Sequence, residues 1–398
     1  MPDRVERLAE LVVAFGANVQ RGQIVAIGAS LGQEELTRAT AESAYKHGAK
    51  FVDVFWFDPY VKRARIEHAD DSTLDYVPPW YGERMLALGD ERAARIGWSG
   101  PVAPGLLDDL DPARSGRDAM PYLKETHPLV NARTTNWCGA PCPNPAWAKL
   151  VHPELDEDAA LELLWEQIEH VLRLDEADPV AAWNERMESL KGSAERLSER
   201  RFDAMHLEGP GTDLTIGLFP SAVWWAADFE TVDGIRHMPN LPTEEVFTTP
   251  DPVRTDGVVT ATKPLVLRDG TILRGLKVTF EGGRAVEIEA ERNAEALREL
   301  TSVDDGGCRL GELALVDREG RIGPLDTVFY DTLLDENAAS HIAFGNGFGF
   351  LLGDEDAGKT NTSATHIDFM IGSNELDVTG IASGGERVPV LRGGSWQI

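Results

Sequence analysis

The sequence predicts an α/β N-terminal domain with a parallel sheet, followed by an α+β C-terminal domain whose mainly antiparallel sheet bears metal. Three observations carry that expectation. Helix and strand patterns alternate through short connections over residues 5–56, as they do where parallel strands are covered by helices. Beyond Phe202, short strands and glycine turns take over. Within that second half, carboxylates and histidines stand inside apolar runs, where a charge is seldom tolerated unless paired or metal-bound. At 398 residues the chain is too long for one ordinary core. Domains are expected at 1–195 and 196–398.

Taken in order, residues 5–15 read as an amphipathic helix and residues 23–28 as a short strand. A helix over 33–47 closes on Gly48 as C-cap, and residues 51–56 form the next strand. The stretch Gly28-Ala29-Ser30-Leu31-Gly32 is neither a complete dinucleotide fingerprint nor a P-loop, and is read as an ordinary turn. Residues 58–128 are less regular, with breaks at Pro78-Pro79-Trp80 and from Pro101 to Pro104. Residues 137–147 read as a proline-rich connection whose tryptophans, Trp137 and Trp147, pack between the halves, with a substrate-lining role as the alternative. Residues 154–200 are acidic and helical. Leu161, Leu164, Trp165, Ile168, Val171 and Leu172 make one apolar stripe; Pro179 starts a new helix, and Trp183, Met187 and Leu190 continue the stripe. This segment is expected to be the hinge between domains, its charges forming a solvated face.

Further on, residues 265–273 predict a hairpin turning at Asp269-Gly270, residues 276–289 a second turning at Gly282-Gly283, and residues 291–300 a helix. The chemistry gathers around and beyond these. From His366 to Ile371 a period of two puts His366, Asp368 and Met370 on one strand face and Ile367, Phe369 and Ile371 on the other. A strand can present two metal ligands to one ion in this way, although a sheet with a polar outer face reads the same. Glu336 and His341 are five apart, too far round a regular helix to share a face, so they come from a helix end or a bent loop. Upstream, Leu310-Gly311-Glu312-Leu313-Ala314-Leu315-Val316 is an apolar run with one carboxylate, Glu312. Glu244 and Glu245 form an acidic pair in another strand-like segment.

These separated segments, in this order, resemble the M29 family of metalloaminopeptidases, and the resemblance spans essentially the whole chain. It implies a ligand set of Glu245, Glu312, Glu336, His341, His366 and Asp368, each of the expected residue type. One position departs: where the family carries a tyrosine seven residues after the first histidine, this chain has Phe348. Four carboxylates with two neutral imidazoles sum to a formal −4, which two divalent cations neutralise, whereas one would leave a repulsive cluster. The expectation is therefore two divalent ions per chain, drawn from zinc, cobalt, manganese and magnesium. The implied reaction removes N-terminal residues from peptides with a free N-terminus, through metal-activated water. Glu312 is expected to bridge the ions as the catalytic residue. No sequence feature separates a ligand from the general base, and Glu244 is the alternate ligand if the register is off by one. The resemblance also implies a homodimer.

Composition bounds the partners. A net charge of −29 and a pI of about 4.6 disfavour nucleic acid and anionic membranes. No apolar run is long enough to span a membrane and no signal core precedes the first helix. Cys138, Cys142 and Cys308 make no disulfide framework, and Cys138-x-x-x-Cys142 lacks a second ligand pair for zinc. A cytoplasmic protein is expected. Two rival functions fit part of the pattern. His341, His366 and Asp368 can form the triad of a mononuclear Fe(II) ring-cleaving dioxygenase, which leaves Glu245, Glu312 and Glu336 without a use. A non-catalytic peptide-binding relative is supported by Phe348 alone.

Overall fold

The computed structural model describes residues 3–118, 120–121, 123–267 and 271–398. The N-terminal half is built on a four-stranded parallel sheet in the order Phe51–Phe57, Ile24–Ser30, Ala94–Ser99, Trp137–Pro141. One face carries Val25, Ile27, Ile96 and Cys138, packed in a core with Leu8, Val12, Leu36 and Ala44 from the covering helices. Asp3 caps the first helix, accepting the Glu6 N–H at 2.8 Å. Gly48, at φ +88°, closes the Glu34–Lys46 helix as expected. On the other face Ala26 packs with Leu88 of the Pro79–Asp90 helix. Beside it Gly28, Gly97 and Gly139 lie adjacent across three strands and leave that part of the sheet bare.

Several expectations change here. The first strand runs on to Ser30, so Gly28 belongs to the strand and only Leu31 and Gly32 turn. Residues 58–128 contain the interior strand Ala94–Ser99, whose apolar pattern is interrupted by Arg95 and Gly97. Residues 137–147 are not a connection: Trp137–Pro141 is a strand of the parallel sheet, and the helix Pro145–Val151 follows almost at once. Trp147 does pack between the halves. It is fully buried and donates its indole N–H to the Phe329 carbonyl at 2.6 Å. The acidic segment forms the helices Glu157–Val171 and Pro179–Arg200, which bury the expected stripe. Its charges are not all solvated, because Arg173 and Arg186 are buried against Glu244.

Among the described residues the C-terminal half holds two large antiparallel sheets and two two-stranded ones. The larger has eight strands, with Pro250–Thr260, Thr212–Leu218, Ala204–Gly209 and Asp377–Ile381 at its centre. The smaller runs His366–Met370, His341–Gly345, Leu310–Val316, Glu245–Thr248, Trp225–Ala226. Leu265–Val266 pairs with Ile272–Leu273 as a hairpin, whose Asp269-Gly270 turn lies outside the described residues. Lys277–Glu281 pairs with Arg284–Glu289, turning on Gly282 and Gly283, and the helix after them is Ala294–Thr301. One apolar core runs through both halves. Among the described residues no helix is long and apolar enough to cross a membrane.

Candidate metal centre

Strand register gathers the acidic and imidazole side chains on one face of the five-stranded sheet. In an antiparallel pair, directly opposed residues point the same way. His341 opposes Ala314 and Met370; Ala343 opposes Glu312 and Asp368; Gly345 opposes His366. Glu245 opposes Val316 in the strand beyond, two residues along from Ala314, and shares the same face. Ile342, Phe344, Leu313, Leu315 and Phe369 point the other way into the main core. The period-2 reading of His366 and Asp368 holds.

Glu312 reaches this face through a bulge. The pairing Leu310↔Phe344 steps to Glu312↔Ala343, so two residues on one strand answer one on the other. Without the slip Glu312 would oppose Ile342 and point into the apolar core. Gly311 makes the slip possible, since a Cβ there would stand 2.3 Å from the Gly345 carbonyl. Glu336 ends the Thr332–Glu336 helix, and the turn from it to His341 supplies the bent connection expected for that pair.

The geometry of the two imidazoles is alike. His341 Nδ1 lies 3.0 Å from the Glu336 carbonyl, and His366 Nδ1 lies 2.8 Å from the Asn346 carbonyl. Donating Nδ1–H to a carbonyl leaves Nε2 as the ligating atom. His341 Nε2 is 3.0 Å from Glu245 Oε2; His366 Nε2 is 3.2 Å from Glu312 Oε2 and 3.3 Å from Asp368 Oδ1. Donor atoms within 4.8 Å of one another form two groups, Glu245–Glu312–His341 and Glu312–His366–Asp368. Glu312 is common to both. Glu336 joins neither group, yet it is buried within the field of Asp368, Glu245, His341 and Glu312.

The electrostatics fit cations. Burial first, then Glu245 and Asp368, push the Glu312 carboxyl up to about 7, and burial with the same neighbours raises Glu336 well above the carboxylate range. Burial alone would lower both histidines, but the carboxylates beside them raise both well above the ordinary value. Glu245 Oε2 is buried and, despite its closeness to His341, makes no aligned hydrogen bond. An acceptor of that kind, among mutually repelling carboxylates, suits a divalent ion.

Glu244 does not face the acidic cluster. Its side chain turns away into a buried ion network, with Arg173 Nη2 at 3.0 Å and Arg186 Nε at 2.5 Å, and Arg186 also reaches Asp317 at 3.1 Å. The Glu244 N–H donates to Asn337 Oδ1 at 2.6 Å, tying the start of the Glu245 strand to the residue after Glu336. Phe348 stands edge-on to the His366 ring at 5.5 Å and to Phe247 at 5.2 Å. Tyr330 supplies no replacement hydroxyl, because it is held by Arg274 and does not line the cleft.

The site opens into a cleft of about 740 Å³ lined by both halves, with Glu245, Glu312, Glu336, His341, His366 and Asp368 on the C-terminal side and the glycine-bare sheet face on the N-terminal side. Sequence reading missed Arg95, which lines this cleft. The signal was present, since one cation in an apolar strand is the mirror image of Glu312.

Comparison with known proteins identifies relatives of the whole chain. The profile of the thermophilic metalloproteases (M29) matches residues 1–396. Aminopeptidase T of Thermus aquaticus is 41% identical over 100% of this chain and 99% of its own. The structure of wild-type AmpT from Thermus thermophilus superimposes with a TM-score of 0.86 at 40% identity, covering 99% of both chains. A 2,5-dihydroxypyridine dioxygenase from Pseudomonas putida KT2440 shares the fold alone, with a TM-score of 0.51 at 14% identity over 99% of this chain and 96% of that one. With a family match over nearly its full length and metal-ligand chemistry gathered on one sheet face, this chain belongs to the M29 family of metalloaminopeptidases.

Proposed function

We propose that this enzyme removes N-terminal residues from peptides at a site holding two divalent ions. The observation that carries the reading is Glu312, the one residue common to both donor groups. Glu245, Glu312 and His341 would hold one ion, and Glu312, His366 and Asp368 the other. Two such ions supply a polarised carbonyl and a water of lowered pKa.

The chain's own residues do the rest. Each Nδ1–carbonyl contact fixes an imidazole with Nε2 turned inward. Glu336, outside both groups but buried beside them, is assigned as the base: as a carboxylate it would accept a proton from the attacking water and pass it to the leaving amine. The resemblance implies a ligand role for the same carboxylate. The acidic floor suits the ammonium of a free N-terminus. A mononuclear iron site is disfavoured, because His341 falls in one donor group and His366 with Asp368 in the other.

A homodimer and a cytoplasmic setting complete the proposal, supported by the resemblance, by exposed aromatics such as Trp80 and Tyr60, and by three free cysteines. The test is metal analysis on protein sized by sedimentation, with a panel of aminoacyl-nitroanilides assayed before and after chelation. Two ions per chain, a dimer, and activity lost on chelation and restored by cobalt, zinc, manganese or magnesium are expected. One ion per chain with oxygen uptake on a pyridine diol would instead support the dioxygenase. Metal binding without turnover would leave a peptide-binding relative.

Phe348 offers a second check. Its ring already lies against His366, so Phe348→Tyr adds a donor beside the metals without changing the ligands. Oxyanion donors are worth about 10²–10³ in turnover. Phe348→Tyr is expected to raise kcat on a simple aminoacyl substrate and leave metal stoichiometry unchanged. An unchanged kcat would show that the phenol is dispensable.

A further inference from the structure

The N-terminal wall of the cleft carries an unpaired cation. Arg95 lies on the Ala94–Ser99 strand two residues from Gly97, on the bare face of the sheet. Its Nη1 is buried with no hydrogen-bond partner, and no carboxylate among the described residues pairs with it. Burial pushes the guanidinium down to about 10, with no neighbouring acid to oppose the shift. The other cations lining the cleft are engaged. Arg84 meets Asp53 at 2.6 Å, Arg117 meets Asp75 at 2.8 Å, and Lys62 donates to the Asp118 and Met120 carbonyls at 2.7 Å each. In a chain of net charge −29, a half-buried guanidinium whose Nη1 is out of water with no acid beside it is not explained by folding, since burying an unpaired charge is unfavourable.

Room for a ligand lies next to it. Gly28, Gly97 and Gly139 form a row across the sheet that ends on Asn240, five residues before Glu245. A Cβ at Gly97 would meet nothing within 4 Å, and one at Gly28 only the Ile96 carbonyl at 4.0 Å. Packing does not demand these glycines. The space above them belongs to the cleft and leads along the sheet toward the segment that carries Glu245. A cleft of about 740 Å³ suits a ligand of a few residues.

We propose that Arg95 is the specificity-determining receptor for a carboxylate of the peptide substrate, so that the enzyme favours short peptides ending in a free C-terminus. This rests on the aminopeptidase reading. The cleft is then polar along its length: acids at the metal centre take the amine, and a guanidinium fork takes a carboxylate in bidentate fashion. A carboxylate can come from the C-terminus or from an acidic side chain, and the substrates below separate the two.

Rates are measured on Leu-Ala-Ala, its C-terminal amide, and Leu-Glu-Ala amide, with the wild type, Arg95→Gln and Arg95→Lys. The wild type is expected to prefer the free acid over the amide by about 10–100-fold in kcat/KM, mainly through KM, as one charge-assisted contact would give. That ratio should fall to near one in Arg95→Gln and be partly kept in Arg95→Lys. Leu-Glu-Ala amide as slow as the neutral amide would identify the C-terminus as the source, and Leu-Glu-Ala amide faster than a Leu-Ala-Ala that gains nothing over its amide would identify the side chain. A wild-type ratio near one for both acidic peptides, or a ratio unchanged in Arg95→Gln, overturns the proposal. If no peptide is cleaved, the aminopeptidase reading fails. Calorimetry with a non-cleavable reduced-bond analogue of Leu-Ala-Ala and its amide then decides Arg95 separately: tighter binding of the acid to wild type but not to Arg95→Gln supports it, and equal binding overturns it.

Discussion

Replacing Glu312 by glutamine is expected to lower kcat by at least about 10³-fold and to reduce bound metal below two ions per chain. Glu312 is shared by both donor groups, and no other side chain among the described residues belongs to both. Stabilisation of transition-state charge by a bound ion is worth several kcal/mol, and each 1.36 kcal/mol is a factor of ten. Glutamine keeps the shape, so the bulge at Gly311 and the strand pairing have no reason to move. The metal-free proteins give an independent readout. Burial and the neighbouring acids raise Glu312 from 4.5 to about 7, so the folded state holds its proton more tightly than the unfolded chain does. Its contribution to stability is fully present below about 4.5 and is lost as pH rises to about 7. Glu312→Gln should flatten that fall, measured by urea midpoints across the range. A variant with two ions and ordinary turnover would remove Glu312 from the centre of the mechanism.

The difference between what the sequence made legible and what it hid has a physical pattern. His366 and Asp368 could be placed because polar and apolar residues alternate from His366 to Phe369, and the strand register carries the two onto one face. Glu312 stood out as a charge in an apolar run, but its orientation could not be read. A bulge at Gly311 decides it, and bulges are set by the partner strand. The strand Ala94–Ser99 was lost in an irregular stretch because Arg95 and Gly97 break its pattern, and both line the cleft. Local rules fail where a strand serves a binding surface rather than the core. Trp137–Pro141 reads as a connection because Pro141, with Pro143 and Pro145 just beyond, looks like loop, yet a proline at the end of an edge strand is compatible with a sheet. The choice between Glu244 and Glu245 is a parity question that one strand cannot answer. It took Arg173 and Arg186, contributed by the helical segment between residues 157 and 200, to show which glutamate faces which way.

That network makes Glu244 the residue whose loss should cost the most stability. Its side chain is fully buried between two guanidiniums, and removing one partner of a buried pair costs about 3–5 kcal/mol because the remaining charge is stranded. Arg186 would keep Asp317 at 3.1 Å, but Arg173 would be left with only the Trp183 ring at 4.0 Å, and its Nη1 already lacks a partner. Glu244→Ala is therefore expected to lower the unfolding free energy by about 3–5 kcal/mol, whereas Glu42→Ala, which breaks a solvent-exposed pair with Lys46, should leave it nearly unchanged because water screens that pair. Metal stoichiometry should survive in folded Glu244→Ala and fall in Glu245→Ala. Small loss of stability with loss of metal in the Glu244 variant would reverse the assignment. The double variant Glu244→Gln with Arg173→Met separates stranded charge from lost packing. It removes the carboxylate together with the cation that depends on it alone, so it should recover most of the loss, while Arg186 stays satisfied by Asp317. Failure to recover would mean that the segment leading into Glu245 is held by the shape of this network rather than by its charge balance.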